Sequence, residues 1–338
     1  MNDPSVGQKV CRLCETGLNT DNDSAAHIIP SALGGRLKPK GILCQKCNAL
    51  LGDLADDRLV KAFGAWPSIL AVERDRSSHP AHILNTRAGE KVRLNPDGTL
   101  QSMDVKYEKN PHEDGTSIQI TAGTMKVARQ LILRAAKEHP ILDPQEAEKH
   151  AVVARLVDPE LNVPISFGPQ ETFGGALTAI WLFLIHKTGR AFIEGKDLVA
   201  RIQRAQEYGG TLRYLIGGLP GVVGPQIDIA HRLVARSVPV TGELIVYLEI
   251  LGVLQLGAVF ASAEPPAMLI EHIYVFDVFG QKDRSSEFSI DTNIFEKYDW
   301  NNTGLAAQGN QDVLIEHFRT VSSLLTNAYM ARSTSQTA

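Results

Sequence analysis

Cysteine is scarce: a chain of 338 residues has four. None lies outside two short pairs, so no disulfide framework spreads over the chain. An excess of one charge is also missing. Thirty-four Lys and Arg against 38 Asp and Glu leave a formal net charge of −4. Bulk charge therefore announces no nucleic-acid partner, and any such surface has to be local. No apolar run is long enough to span a bilayer; the longest, 176–185, is short and contains Thr178. The opening Met1-Asn2-Asp3-Pro4-Ser5 is polar, which speaks against a secretory leader. Internal repeats and low-complexity tracts are absent. The glycine-rich stretch 217–224 has no Gly-Lys-Ser/Thr ending and reads as a connector rather than a phosphate loop.

The cysteines that are present stand as Cys11-Arg12-Leu13-Cys14 and Cys44-Gln45-Lys46-Cys47. Two knuckles of this spacing can close one tetrahedral zinc site through Cys11, Cys14, Cys44 and Cys47. Bound thiolates at metal spacing point to a reducing, cytoplasmic setting rather than to disulfides. Between the pairs lie Ala26-His27-Ile28-Ile29-Pro30 and Gly34-Gly35, and Asn48 follows the last cysteine directly. The 29 residues separating Cys14 from Cys44 exceed the about 15–20 of a plain zinc ribbon. Arg36, Lys38, Lys40 and Lys46 surround the insert; they read equally as phosphate contacts or as a solvated face. The other histidines form no ligand spacing, and His186, on an apolar helix, reads as a core residue.

Length suggests two or three domains at about 100–200 residues each. The class read from the pattern is α+β: a zinc module over 1–66, a small β meander or linker over 67–122, and a larger mixed α/β region over 123–332. In the module, a helix is expected over 48–55, with Gly52 as its weak point. Short strands and the turn Asn95-Pro96-Asp97-Gly98-Thr99 fill 80–122, including an arm over 102–109. Helices are expected from Thr124 to Glu138, over 144–156, over 174–188 and over 196–207. Dense Val, Ile, Leu, Tyr and Phe over 243–250, 253–261 and 270–279 predict strands buried on both faces. A last helix is expected over 311–330 and a disordered tail over 333–338.

The order Cys-x2-Cys, His-Ile-Ile-Pro, Gly-Gly, Cys-x2-Cys-Asn resembles the HNH endonuclease family, in its four-cysteine zinc branch, over roughly residues 8–60. The resemblance implies a ββα-metal finger, with a structural zinc separate from a catalytic divalent metal, magnesium or manganese. It implies His27 as general base and Asn48 as ligand of the catalytic metal, in the hydrolysis of DNA phosphodiesters, with RNA left open. Two positions depart from the family. Ala26 stands where a metal-binding Asp, Glu or His is usual, and Pro39 where a middle Asn is often found. Asp21, Asp23 and Asp53 are the candidate carboxylates to replace the ligand lost at Ala26. The alternative reading is a non-catalytic, zinc-stabilised nucleic-acid-binding or scaffold protein, in which His27 is a satisfied hairpin histidine and Asn48 a helix cap. No membrane partner is expected, and a homo-oligomer is left open.

Overall fold

Helix Pro169–Thr188 is apolar on every side, and in the computed structural model it is buried from Thr172 to Ile185. Pro169 opens it at the position where a missing N–H costs nothing, and Gly189, at φ 72°, closes it. Its threonines stay satisfied inside: Thr172 Oγ1 donates to Gly168 O (2.8 Å) and Thr178 Oγ1 to Gly174 O (3.0 Å). A helix of this kind has to be covered all round. Helix Gly195–Tyr208 lies against it on one side and helix Asp57–Ala62 on another. Gly175 permits the second approach, since a Cβ there would stand 2.6 Å from Leu59 Cβ.

The structure describes residues 9–75, 78–96, 98–113, 115–152, 160–208, 212–215, 220–238, 241–261 and 269–297, with 320 and 323. They form an α+β chain of two compact units, one of Met1–Ser77 with Ile165–Ala338 and one of Ser78–Pro164. These divisions fall at 77/78 and 164/165, whereas the sequence reading put its breaks at 66/67 and 122/123.

In the first unit, strand Asp23–Ser24 pairs antiparallel with Leu43–Cys44, and helix Gln45–Leu51 follows at once. This is a short hairpin leading into a helix, as expected. Cys44 caps that helix, so Asn48 lies inside it and the capping role considered for Asn48 does not hold. Gly52 does not end the helix. The backbone widens into a π-turn over Gly52–Asp56 and resumes as Asp57–Ala62. A six-stranded antiparallel sheet completes the unit, in the order Lys282–Asp283, Glu271–Asp277, Ala230–Val238, Glu243–Ile250, Leu254–Ala261, Leu212–Tyr214. Of the strands expected to be buried on both faces, Glu243–Ile250 is so along nearly its whole length, whereas Glu271–Asp277 is only partly buried. Ala230–Val238, broken by His231, Arg232 and Arg236, is buried at most positions without an apolar run to predict it.

The second unit holds two sheets rather than one meander. Leu100–Ser102, Lys91–Leu94, His82–Thr86 and Leu161–Asn162 form the first. Lys106–His112 and Gly115–Thr121 form a separate ribbon. The arm expected over 102–109 thus breaks at 103–105, and its strand runs on through Pro111, whose lack of an N–H is tolerated on an edge. Thr124 caps helix Met125–Glu138 by accepting from Val127 N (3.2 Å). Of the helix expected over 144–156, Pro144–Lys149 is formed, and 153–159 lie outside the described residues. The expected helix over 311–330 lies outside them too, apart from helical Thr320 and Ser323, as does the tail over 333–338. His186 is exposed on the last turn of its helix, not in the core.

Gly175→Val should lower stability by about 1–3 kcal/mol, because Leu59 leaves no room for a branched side chain. Urea denaturation of both proteins measures it. An unchanged midpoint would mean that the two helices can separate freely.

Candidate metal and nuclease site

The two knuckles meet because of local turns. Val10 bridges Gly17 antiparallel, and Cys11 N donates to Thr16 O (2.8 Å). Glu15 takes a left-handed φ of 62°, which folds Cys11 and Cys14 back on one another. Cys44 and Cys47 sit at the cap and in the first turn of the helix they open. The four Sγ atoms all lie within 4.8 Å of one another. Cys14 and Cys44 Sγ are 3.8 Å apart. A tetrahedron with Zn–S bonds of about 2.3 Å has edges of about 3.8 Å, so the set fits zinc. Burial, then the neighbouring thiols, pushes the Cys47 thiol up. A dication bound among the four sulfurs would offset that cost. Among the described residues, these four are the one group of three or more Cys, His, Asp or Glu side chains that converges in this way.

His27 lies just past the hairpin strand, in an irregular stretch between buried neighbours: Ala26 is 0% exposed, and Ile28 and Ile29 are 2% exposed. Ile28 N donates to Leu37 O (2.9 Å), which sets His27 alongside Arg36 and Lys38 on the returning chain. Gly34 and Gly35 make the return possible. Gly34 has φ 90°, and a Cβ on Gly35 would stand 1.8 Å from Ile29 O. The turn is fixed from the far end of the chain. Buried His231 accepts Leu251 N–H at Nδ1 (3.3 Å), so its Nε2–H donates to Leu33 O (3.0 Å).

The group that faces His27 is one the sequence reading missed. After helix Trp66–Ile69, Ala71 takes a left-handed φ of 46°, and the irregular segment that follows carries Asp75 to His27. His27 Nε2 lies 3.0 Å from Asp75 Oδ2. Arg36 Nη1 donates to Asp75 Oδ1 (2.6 Å), and Lys38 Nζ donates to Oδ2. Arg36 is held from two further sides. Its Nε and Nη2 donate to Gln281 Oε1 (3.0 and 2.8 Å), and Nη2 pairs with Glu73 (3.1 Å). Lys38 above all, then His27 and Arg36, hold the Asp75 carboxyl well below the usual carboxylate range, although burial opposes them. Asp75, Gln281 and His231 had no sequence signal, being 48, 245 and 198 residues from the groups they touch.

The other expected residues fall differently. Asn48 is half-buried in the helix behind the second knuckle. Asp23 Oδ1 accepts Gly41 N (2.8 Å), which gives this carboxylate a structural use. Asp21 contacts Thr20, and Asp53 is exposed on the π-turn. Arg36, partly buried, and Lys38, exposed, both pair with Asp75, whereas Lys40 and Lys46 are exposed.

Burial holds His231 down at about 4, below the ordinary imidazole value of about 6.5. The unfolded chain therefore binds a proton in this window that the folded chain refuses. Stability is full above pH about 6.5 and falls as pH drops toward 4, by an order of 3 kcal/mol from this group. Chemical denaturation from pH 7 to 4.5 should show that slope flattened in His231→Gln; equal slopes would remove His231 as its source.

Among the described residues, no helix is long and apolar enough to cross a membrane. Searches of curated proteins and of solved structures return no match. The comparison that does return one is with family models: residues 11–64, from the first cysteine through the paired helices, match the HNH endonuclease family.

Proposed function

We propose that the chain is a metal-dependent HNH endonuclease that hydrolyses DNA phosphodiesters, with zinc in the four-cysteine site as its structural staple. The observation that carries this reading is His27 held beside Arg36 and Lys38, on the hairpin that the four cysteines tie to the helix bearing Asn48. His27 is the general base: its imidazole takes the proton of the attacking water, a task suited to a pKa near neutral. Asn48 offers an amide oxygen, a ligand suited to magnesium or manganese. A divalent cation bound there would supply Lewis-acid stabilisation of the leaving oxygen. The buried Ala26 and Ile28 fix the backbone on either side of His27, so the base is positioned before substrate arrives.

One observation favours the second reading, a zinc-stabilised binding module without catalysis. Ala26 contributes only a methyl group where the family has a ligand, and it is fully buried. A carboxylate placed there by Ala26→Asp would be buried as well, so it is tolerated only where a cation or donor meets it.

Two measurements bear on the proposal. Purified protein should hold about one zinc per chain by elemental analysis, lost in Cys44→Ala together with the fold of the module. A normally folded module with no metal would remove zinc from the account. Plasmid nicking in magnesium or manganese should fall about 10²–10⁴-fold in His27→Ala. Equal cleavage by the two proteins would take His27 out of the mechanism.

A further inference from the structure

Three donors from the module converge on one carboxylate. His27 Nε2, Arg36 Nη1 and Lys38 Nζ all meet Asp75, whose side chain is 14% exposed. Orientation of an imidazole needs a single contact. Here two cations share the same carboxylate, and they drain the basicity that would make it a strong partner for His27. The arrangement is that of an anion seat with an anion in it. A carboxylate and the PO₂⁻ group of a phosphodiester are alike in what such a seat detects: two equivalent oxygens sharing one negative charge. Arginine forks recognise both.

Arg36 would keep its place if that anion left. Gln281 Oε1 fixes its Nε and Nη2, and Glu73 pairs with Nη2, so only Nη1 depends on Asp75. Gln281 is itself tied down, its Nε2 donating to Val278 O (2.5 Å). Asp75, in contrast, arrives on a segment with no regular secondary structure, beyond the left-handed turn at Ala71. The fixed part of the network is the receptor, and Asp75 is the part that can be exchanged.

We propose that Arg36 and Lys38, beside His27, form the seat of the scissile phosphate, and that Asp75 occupies it as an internal surrogate which substrate must displace. The inference rests on the nuclease reading for the identity of the phosphate, and adds autoinhibition to it. Against Asp75, Nε2 of His27 carries its proton. Once the carboxylate is displaced, the neutral imidazole is free to release that proton to solvent, hold its N–H at Nδ1 and turn an unprotonated Nε2 to a water beside the phosphate. Binding is weakened by the fraction of molecules with Asp75 in place. A plug seated 90–99% of the time lowers apparent affinity about 10–100-fold.

The test is calorimetric titration with inorganic phosphate, without magnesium and at fixed ionic strength. Asp75→Ala and Asp75→Asn should each bind phosphate at least about tenfold more tightly than wild type. The gain should vanish when Lys38→Ala or Arg36→Ala is added. Zinc content and circular dichroism report folding, and Asp75→Asn, which keeps the side chain's shape, serves if Asp75→Ala is unstable. No gain in a folded variant overturns the proposal. So does collapse of both variants, because Asp75 would then be a strut rather than a plug. Titration needs no cleavage, so the two readings fail separately. Tighter phosphate binding without nicking leaves the seat and removes the nuclease; His27-dependent nicking without the gain does the reverse.

Discussion

Everything around the candidate site depends on covering one helix. Pro169–Thr188 has no polar side to turn outward over most of its length, so the fold has to wrap it. The N-terminal module supplies part of the wrapping through Leu59 and its neighbours, at a contact so close that only glycine fits opposite. Arg12 Nη2, inside the first knuckle, also donates to Gly189 O at the helix end (3.2 Å). The module is thus built into a larger core rather than strung in front of it. Two residues per hairpin strand would be a weak platform for chemistry. Docked in this way, and tied by the four cysteines, the platform borrows rigidity from the helix and the sheet.

What could be read from the sequence was what is local in it. Cysteine pairs at fixed spacing, a histidine between them, a double glycine and an asparagine are short-range patterns, and the family resemblance they carry implies the hairpin and helix. The buried helix and the strand Glu243–Ile250 declared themselves through apolar runs, whereas the central strand Ala230–Val238, with two arginines and a histidine, did not. The partners of the site did not. Asp75 lies in a stretch without periodicity, and its value comes only from folding back on His27. Gln281 reaches Arg36 from a turn near the other end of the chain. Composition could not show that Arg36 and Lys38 are neutralised by a carboxylate; it could only count them. Gly52, the weak point of the helix expected over 48–55, marks where the backbone widens into a π-turn, a local irregularity that propensity does not encode.

Charge is arranged here by pairing rather than by excess. A net charge of −4 gives no long-range attraction for a polyanion. Two cations and an imidazole gathered at one turn make a short-range field instead, and Asp75 and Glu73 hold it near neutral in the free protein. A surface of this kind presents little to attract nucleic acid from a distance. Its basic groups count only for an anion that is already in contact and can compete for them.

The close approach of Leu59 to Gly175 has a consequence for biosynthesis. Synthesis runs from the N-terminus, and Thr188, the last residue of the covering helix, comes 126 positions after Ala62. At about 5–20 residues per second, the ribosome needs roughly 6–25 s to supply that cover. During this interval the cysteines can already take up metal, while the apolar side of the module around Leu59 and Phe63 has nothing to meet. The nascent chain is therefore exposed to aggregation at a defined place and for a defined time. A chaperone that shields this segment would shift the yield of folded protein without touching any residue of the site.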